Sequence, residues 1–348
     1  MALVTIVVSP LGSGHVTRQL ALMHELLDLD PELRIRLVCT VEHLERFQSE
    51  LQFSDRIEIR FLPEVPTFHI SSADAVDIER THSSFLWGLG LLNDGAYQRQ
   101  WRLLLEGSDV VVNDIEFLHN PVAKSLGIPI VNISNFTWSD LLRGLGLIEV
   151  SDFVSDLESL GDLNLRLPFT TGCRSFRTYR DVGLLCREIG VTSSFIGKPF
   201  ALFLAGNINH KLDIQGICEE LSSAGLSCLV LGRQVSHANV QSFPAGLFRV
   251  PDIIGQSSVV VGKVGFSTVA EVYCAGVPFV HFQRQGFMED QLLSDHIVRD
   301  GRGVSLDFAM DASEIADRIL AWAGQRLSRV PNDNKNIAEL VHHFVGRN

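Results

Sequence analysis

Leu3 to Ser9 reads LVTIVVS, a run without the polar and apolar alternation of a half-exposed strand. Such a run suits a strand covered on both faces, the kind found in parallel sheets with helices on either side. A turn bearing two glycines, Pro10-Leu11-Gly12-Ser13-Gly14, follows at once. From His15 the apolar residues Val16, Leu20, Met23 and Leu27 recur at helical spacing until Asp30-Pro31 ends the pattern. Strand, glycine turn and helix make the first half of a βαβ unit, which commits the N-terminal stretch to an α/β fold. Arg34 to Thr40, Arg56 to Phe61, Asp109 to Asn113 and Ile130 to Ile133 supply further strands, with a helical segment from Pro121 to Leu126.

After Gly197-Lys198-Pro199 the series restarts. Strand Ala201 to Leu204, helix Leu212 to Ser223, strands Cys228 to Leu231 and Val259 to Val261, helix Ser267 to Ala275 and strand Phe279 to Phe282 repeat the rhythm. A chain of 348 residues has room for two cores. The expectation is two Rossmann-like, doubly wound parallel-sheet domains, 1–185 and 186–330, facing a central cleft, with a helix over 331–348. Leu167 to Ile196, rich in glycine and arginine and weakly periodic, carries the boundary and hinge. Pro63 to Gly95, holding Phe68, His69, Phe85 and Trp87, interrupts the βα rhythm and is expected to form a lid or binding wall.

The charge balance of 29 basic against 41 acidic residues, net −12, provides no general field for a phosphate backbone, so no nucleic-acid partner is expected. Six cysteines (Cys39, Cys173, Cys186, Cys218, Cys228, Cys274) form no CxxC pair and read as free thiols of a reducing compartment. With neither a basic leader nor an apolar run of roughly 18 residues, the expected location is the cytoplasm, with no integral membrane segment. The sequence leaves the oligomeric state open.

Gly12-Ser13-Gly14 does not complete a dinucleotide fingerprint: Thr17 stands where the third glycine belongs, and the second strand ends Val38-Cys39-Thr40 without the ribose-binding acid. The turn instead presents His15 and Arg18 on the first turn of a helix, beyond the carboxyl end of a buried strand. Ligands of open α/β sheets bind there. Asp114 follows the strand Val110-Val111-Val112 and so lies at its carboxyl end, where a carboxylate can hold an imidazole Nδ1–H and leave Nε2 free to take a proton. His15 could instead cap its helix, Asp114 could form an Asx turn or a cap before Pro121, and Glu116 is a second candidate for the orienting carboxylate.

In VVVGKVGFSTVAEVYCAGVPFVHFQRQGFMEDQ, Val259 to Gln291, a buried strand is followed by Gly262, Gly265, Ser267 and Thr268, which bring backbone N–H groups and hydroxyls to a helix N-terminus. That is a site for a diphosphate. Glu271, one turn on, can accept hydrogen bonds from a ribose diol, and Lys263 adds charge. No GxxxxGK[ST] is present, which excludes an NTPase P-loop. Asp28-Leu29-Asp30 looks like a manganese-binding DxD, but it sits at a helix end before Pro31 and reads as a helix stop, so no metal is expected.

Gly12-Ser13-Gly14-His15-Val16-Thr17-Arg18, together with Gly262 to Glu271, resembles the nucleotide-sugar glycosyltransferases of the two-Rossmann GT-B fold, most closely the glycosyltransferase-like half of plant-type L-arabinokinases. Ser134 to Asp140, Tyr179 to Val182, and Phe282-Gln283-Arg284 through Phe287-Met288-Glu289 extend the likeness over most of the chain. The peptidoglycan N-acetylglucosaminyltransferases are more distant, with GGHxxP where this chain has Arg18. The resemblance implies a nucleotide-sugar donor, UDP-linked by preference, held by Gly262, Lys263, Gly265, Ser267, Thr268, Glu271 and Arg284, with Asp290 and Gln291 on the sugar hydroxyls. It implies an acceptor hydroxyl or amine deprotonated by His15 with Asp114 behind it, a phosphate or acceptor loop at Gly12, Gly14 and Arg18, inversion at the anomeric carbon, and no cofactor beyond the co-substrate. Gly14 to Arg18 is also similar to a UDP-sugar hydrolase of the pseudaminic-acid pathway, so transfer to water, or nucleotide-sugar binding without turnover, are the alternatives.

Overall fold

The computed structural model describes residues 2–51, 54–71, 75–190, 197–205 and 212–346. The chain divides into two compact units: residues 1–186, 286–289 and 332–348 form unit 1, and 187–285 with 290–331 form unit 2. Residues 191–196 of the expected boundary lie outside the described residues.

The strands of unit 1 are β1 (Leu3–Val8), β2 (Arg34–Cys39), β3 (Ile57–Phe61), β4 (Val110–Asp114), β5 (Ile130–Ser134), β6 (Leu163–Arg166) and β7 (Arg180–Asp181). They pair in parallel in the order β3-β2-β1-β4-β5-β6-β7. Val4, Ile6, Val7 and Val8 of β1 are fully buried, which is why no alternation shows in that run. Its helices are α1 (Gly14–Leu29), α2 (Val41–Leu51), α3 (Ile78–Leu91), α4 (Gly95–Leu105), α5 (Asn120–Ser125), α6 (Trp138–Gly144) and α7 (Ile148–Glu158).

In unit 2, β8 (Phe200–Leu204), β9 (Ser227–Leu231), β10 (Val240–Phe243), β11 (Val259–Lys263), β12 (Phe279–Phe282) and β13 (Gly303–Ser305) pair in parallel in the order β10-β9-β8-β11-β12-β13. Helices α8 (Ile214–Ser223), α9 (Val250–Ile254), α10 (Phe266–Ala275), α11 (Met288–Arg299, whose first two residues are grouped with unit 1) and α12 (Ala312–Trp322) accompany them. Each sheet reverses its strand order once, between β1 and β4 in one and between β8 and β11 in the other. The last helix, α13 (Asn334–His342), packs on α1, where His342 Nε2 lies 3.1 Å from Asp30 Oδ2, so the C-terminal segment is part of unit 1.

The expectation of a lid over Pro63 to Gly95 needs correction. Phe68 and Phe85 are core residues: Phe68 stacks on Trp138 at 5.0 Å between centroids and meets Phe85 edge-on at 5.6 Å. Aromatic burial decides the segment's place; Trp87 alone of its aromatics is exposed. Among the described residues no helix is long and apolar enough to cross a membrane.

Candidate active site

In unit 1, β1 pairs with β2 on one side and β4 on the other, with Val8 opposite Asp114. Connections leaving these two strands diverge, which opens a crevice at their carboxyl ends. Gly12 makes the turn out of β1 with φ +76°, a left-handed backbone that side chains resist. His43 Nε2 donates to the Gly12 carbonyl at 3.1 Å and fixes that turn. The N-cap of α1 is Ser13, so His15 is not the cap.

His15 Nδ1 lies 2.6 Å from Asp114 Oδ1. An ionised carboxylate only accepts, so Nδ1 carries the proton and Nε2 faces outward as the basic nitrogen. No group among the described residues hydrogen-bonds Nε2. Asp114 Oδ2 accepts from Arg18 Nε at 2.7 Å and Gln19 Nε2 at 2.8 Å, and Oδ1 also accepts from Arg18 Nη2. Positions 15, 18 and 19 are one turn apart on α1, so a single helix face delivers all the donors. Burial works to raise the Asp114 pKa, but the charges of Arg18 and His15 and their hydrogen bonds outweigh it and hold it at about 2. Asp114 is thus neither an Asx turn nor a helix cap.

Arg18, expected in a phosphate or acceptor loop, is 2% exposed and supports the carboxylate instead, with Nη1 donating to Asn135 Oδ1 at 2.9 Å. Gln19, Asn135 and Glu289, whose Oε1 accepts from Asn135 Nδ2 at 3.0 Å, complete the cluster. Gln19 is signalled only as a polar residue inside an otherwise buried helix, HVTRQLALM, and no local pattern ties Asn135 or Glu289 to it. Glu116 does not hold His15. Its carboxyl is buried beside a cavity of about 10 Å3, shared with Glu158, Phe136 and Phe176, and burial foremost pushes its pKa up to about 8.

In unit 2, β11 runs into Val264-Gly265 and α10, whose N-cap is Gly265 with no side-chain cap. Gly262 and Lys263 end the strand, and Ser267 and Thr268 lie in the first helical turn. Glu271 follows one turn later, buried, accepting Arg187 Nε at 2.9 Å. No local sequence pattern signals that buried pair, whose members are 84 positions apart. Asp290 is fully buried and takes three donors from Arg284: the backbone N–H at 2.8 Å, Nε at 2.9 Å and Nη2 at 2.6 Å. Burial would raise its pKa; Lys263 and Arg284 together lower it. Gln291 is exposed and donates to Asp295 at 2.8 Å. Among the described residues no three His, Cys, Asp or Glu side chains gather as metal ligands would.

Two parallel sheets, each reversing its strand order beside a glycine turn, are the architecture of the GT-B glycosyltransferases, and the chain has that fold. It is similar to the solved structure of the glycotransferase of kitacinnamycin (TM-score 0.67, 17% identity, 99% of each chain covered). It is likewise similar to UGT2 of Phytolacca americana, solved with UDP-2-fluoroglucose and pterostilbene (TM-score 0.63, 13% identity, 99% of this chain and 93% of that one). Glycosyltransferase VinC, solved with dTDP, gives a TM-score of 0.63 at 10% identity, covering 98% and 94%. Among curated proteins, the L-arabinokinase of Arabidopsis thaliana is 26% identical over 309 residues. The match takes in 81% of this chain, which spans 28% of the arabinokinase's length. No protein-family model matches.

Proposed function

We propose that the chain is a nucleotide-sugar glycosyltransferase of the inverting, metal-independent kind, moving a sugar from a nucleoside diphosphate, by preference UDP, to a hydroxyl or amine. The observation that carries this reading is the His15 Nδ1–H bond to a fully buried, ionised Asp114 at a sheet switch point, with Nε2 left as a base. Nε2 takes the acceptor proton while the acceptor oxygen or nitrogen bonds to the anomeric carbon. The bond from that carbon to the diphosphate breaks, and its electron pair leaves with the diphosphate. Backbone N–H groups at the start of α10, with Ser267, Thr268 and Lys263, stabilise the departing charge. Glu271 accepts from the ribose diol. The Arg284–Asp290 pair shapes the wall on the sugar side. The UDP- and dTDP-bound neighbours support a nucleoside diphosphate as the donor.

Isothermal titration of the protein with UDP, dTDP and their sugars, followed by product analysis with and without acceptors, tests the reading. Binding with acceptor-dependent transfer is the expected result. Release of free sugar regardless of acceptor would make the protein a hydrolase, binding without turnover a sensor, and no nucleotide binding at all would overturn the assignment.

Glu271→Gln is expected to weaken nucleotide binding about 10- to 100-fold, since a charge-assisted hydrogen bond contributes about 1.5–3 kcal/mol. Glutamine keeps an acceptor for Arg187, so the fold survives. Alanine at the same place would strip the carboxylate from a buried guanidinium and destabilise the protein by about 3–5 kcal/mol. Equal UDP affinity in wild type and Glu271→Gln would remove Glu271 from the donor site.

A further inference from the structure

The His15–Asp114 pair does not stand alone. Arg18 places a full positive charge on the same carboxylate, with Nη2 3.1 Å from His15 Nδ1. Taken alone, that guanidinium neutralises Asp114 and removes the negative charge an imidazole needs beside it to accept a proton. Beyond Arg18, Asn135 Oδ1 accepts from Nη1 at 2.9 Å, which obliges the other end of the amide to donate. It donates to Glu289 Oε1 at 3.0 Å. Asn135 is fully buried and Glu289 nearly so, and both belong to unit 1, since Gly286–Glu289 is grouped there. The line Glu289–Asn135–Arg18–Asp114–His15 is therefore a continuous hydrogen-bonded relay inside one unit. Its charges before reaction are Arg18 positive and Asp114 and Glu289 negative, and the proton taken by His15 brings the sum to zero.

We propose that Asn135 and Glu289 are positioning residues for the base. Glu289 supplies the second negative charge that lets Asp114 serve His15 and Arg18 at once, and Asn135 transmits it by fixing which edge of Arg18 faces the carboxylate. This rests on the reading of His15 as the base, and the test separates the two.

In the full-length protein, Glu289→Ala is expected to lower kcat about tenfold while the donor KM stays within about twofold, because the loss is in alignment of the base and not in binding. Glu289→Gln keeps an acceptor for Asn135 but lacks the charge, and restores only part of the rate. Its missing charge moves the acid limb of the pH–rate profile to lower pH, because a base that has lost a nearby negative charge holds a proton less tightly. A second readout needs no substrate: the downfield proton resonance of His15 Nδ1–H, assigned by its loss in His15→Gln, moves upfield or broadens in Glu289→Ala and returns only part of the way in Glu289→Gln. An unchanged resonance in Glu289→Ala, or an unchanged rate and pH profile in a protein that does transfer sugar, overturns the relay. If the wild type proves not to transfer sugar, the transferase reading falls by itself and the resonance alone decides the relay.

Discussion

His15→Ala is expected to reduce sugar transfer by a factor of about 10²–10⁴ while the affinity for the nucleotide sugar stays within about twofold of wild type. A general base acts on the proton of the acceptor, so its removal raises the barrier for transfer and leaves the ground-state donor complex intact. Donor binding is assigned to unit 2, and His15 lies in unit 1. Single-turnover rates alongside calorimetric donor titration separate the two quantities. Transfer at the wild-type rate in His15→Ala would assign the base elsewhere, and lost donor binding would make His15 a phosphate ligand.

Asp114→Asn has a harsher outcome than loss of an orienting charge alone. Asp114 accepts from four donors, His15 Nδ1, Arg18 Nε and Nη2, and Gln19 Nε2, two on each oxygen. An asparagine amide offers one accepting oxygen, so whichever way it turns, its NH2 faces two other donors. The exchange is expected to weaken folding as well as transfer, and a fall in the thermal midpoint in parallel with the rate is its signature.

The central strands were legible because burial on both faces writes itself as an unbroken β-branched run, as in residues 4–8 and 259–261. Strands β6, β7, β10 and β13 were not, being two to four residues long and, apart from Asn164 and Leu165 of β6 and Gly303 of β13, partly or wholly exposed. Their place is set by the neighbour they pair with, and propensity does not report it. At the site, His15 and Asp114 were legible separately, each beyond or at the carboxyl end of a buried strand. Their support was not: Arg18 meets Asn135 across 117 positions and Asn135 meets Glu289 across 154, and no local pattern encodes such pairs. The burial of Phe68 and Phe85 has a related cause. An aromatic residue in a segment off the βα rhythm lines a pocket or fills a core depending on what packs over it, here Trp138, Phe117 and Phe287.

The largest effect on stability is expected from raising the pH, through Glu116 and Glu158. Both carboxyl groups are buried beside a cavity of about 10 Å3, room for about one water. Burial is the main cause that raises Glu116 to about 8, with the charges of Asp114 and Glu158 adding to it and the Ser9 hydroxyl opposing. Glu158 is raised to about 7, again chiefly by burial, against hydrogen bonds from Ser139 and the Trp138 N–H. In the unfolded chain both carboxyls return to their ordinary value near 4.5. Between that value and 7 to 8 the folded state holds protons that the unfolded state has released, so stability is greatest below about pH 4.5 as far as these groups are concerned. It falls as the pH rises, by up to about 1.4 kcal/mol per unit for each group, and levels off above about 8. Glu116→Gln keeps the shape of the neutral acid and cannot ionise. Its unfolding free energy in urea should therefore draw ahead of wild type progressively from pH 5 to 8, by several kcal/mol in all, and Glu158→Gln should do so over a range that ends about one unit lower. Urea curves for wild type and Glu116→Gln that stay parallel across that range would show the carboxyl to be ionised in the folded protein at neutral pH.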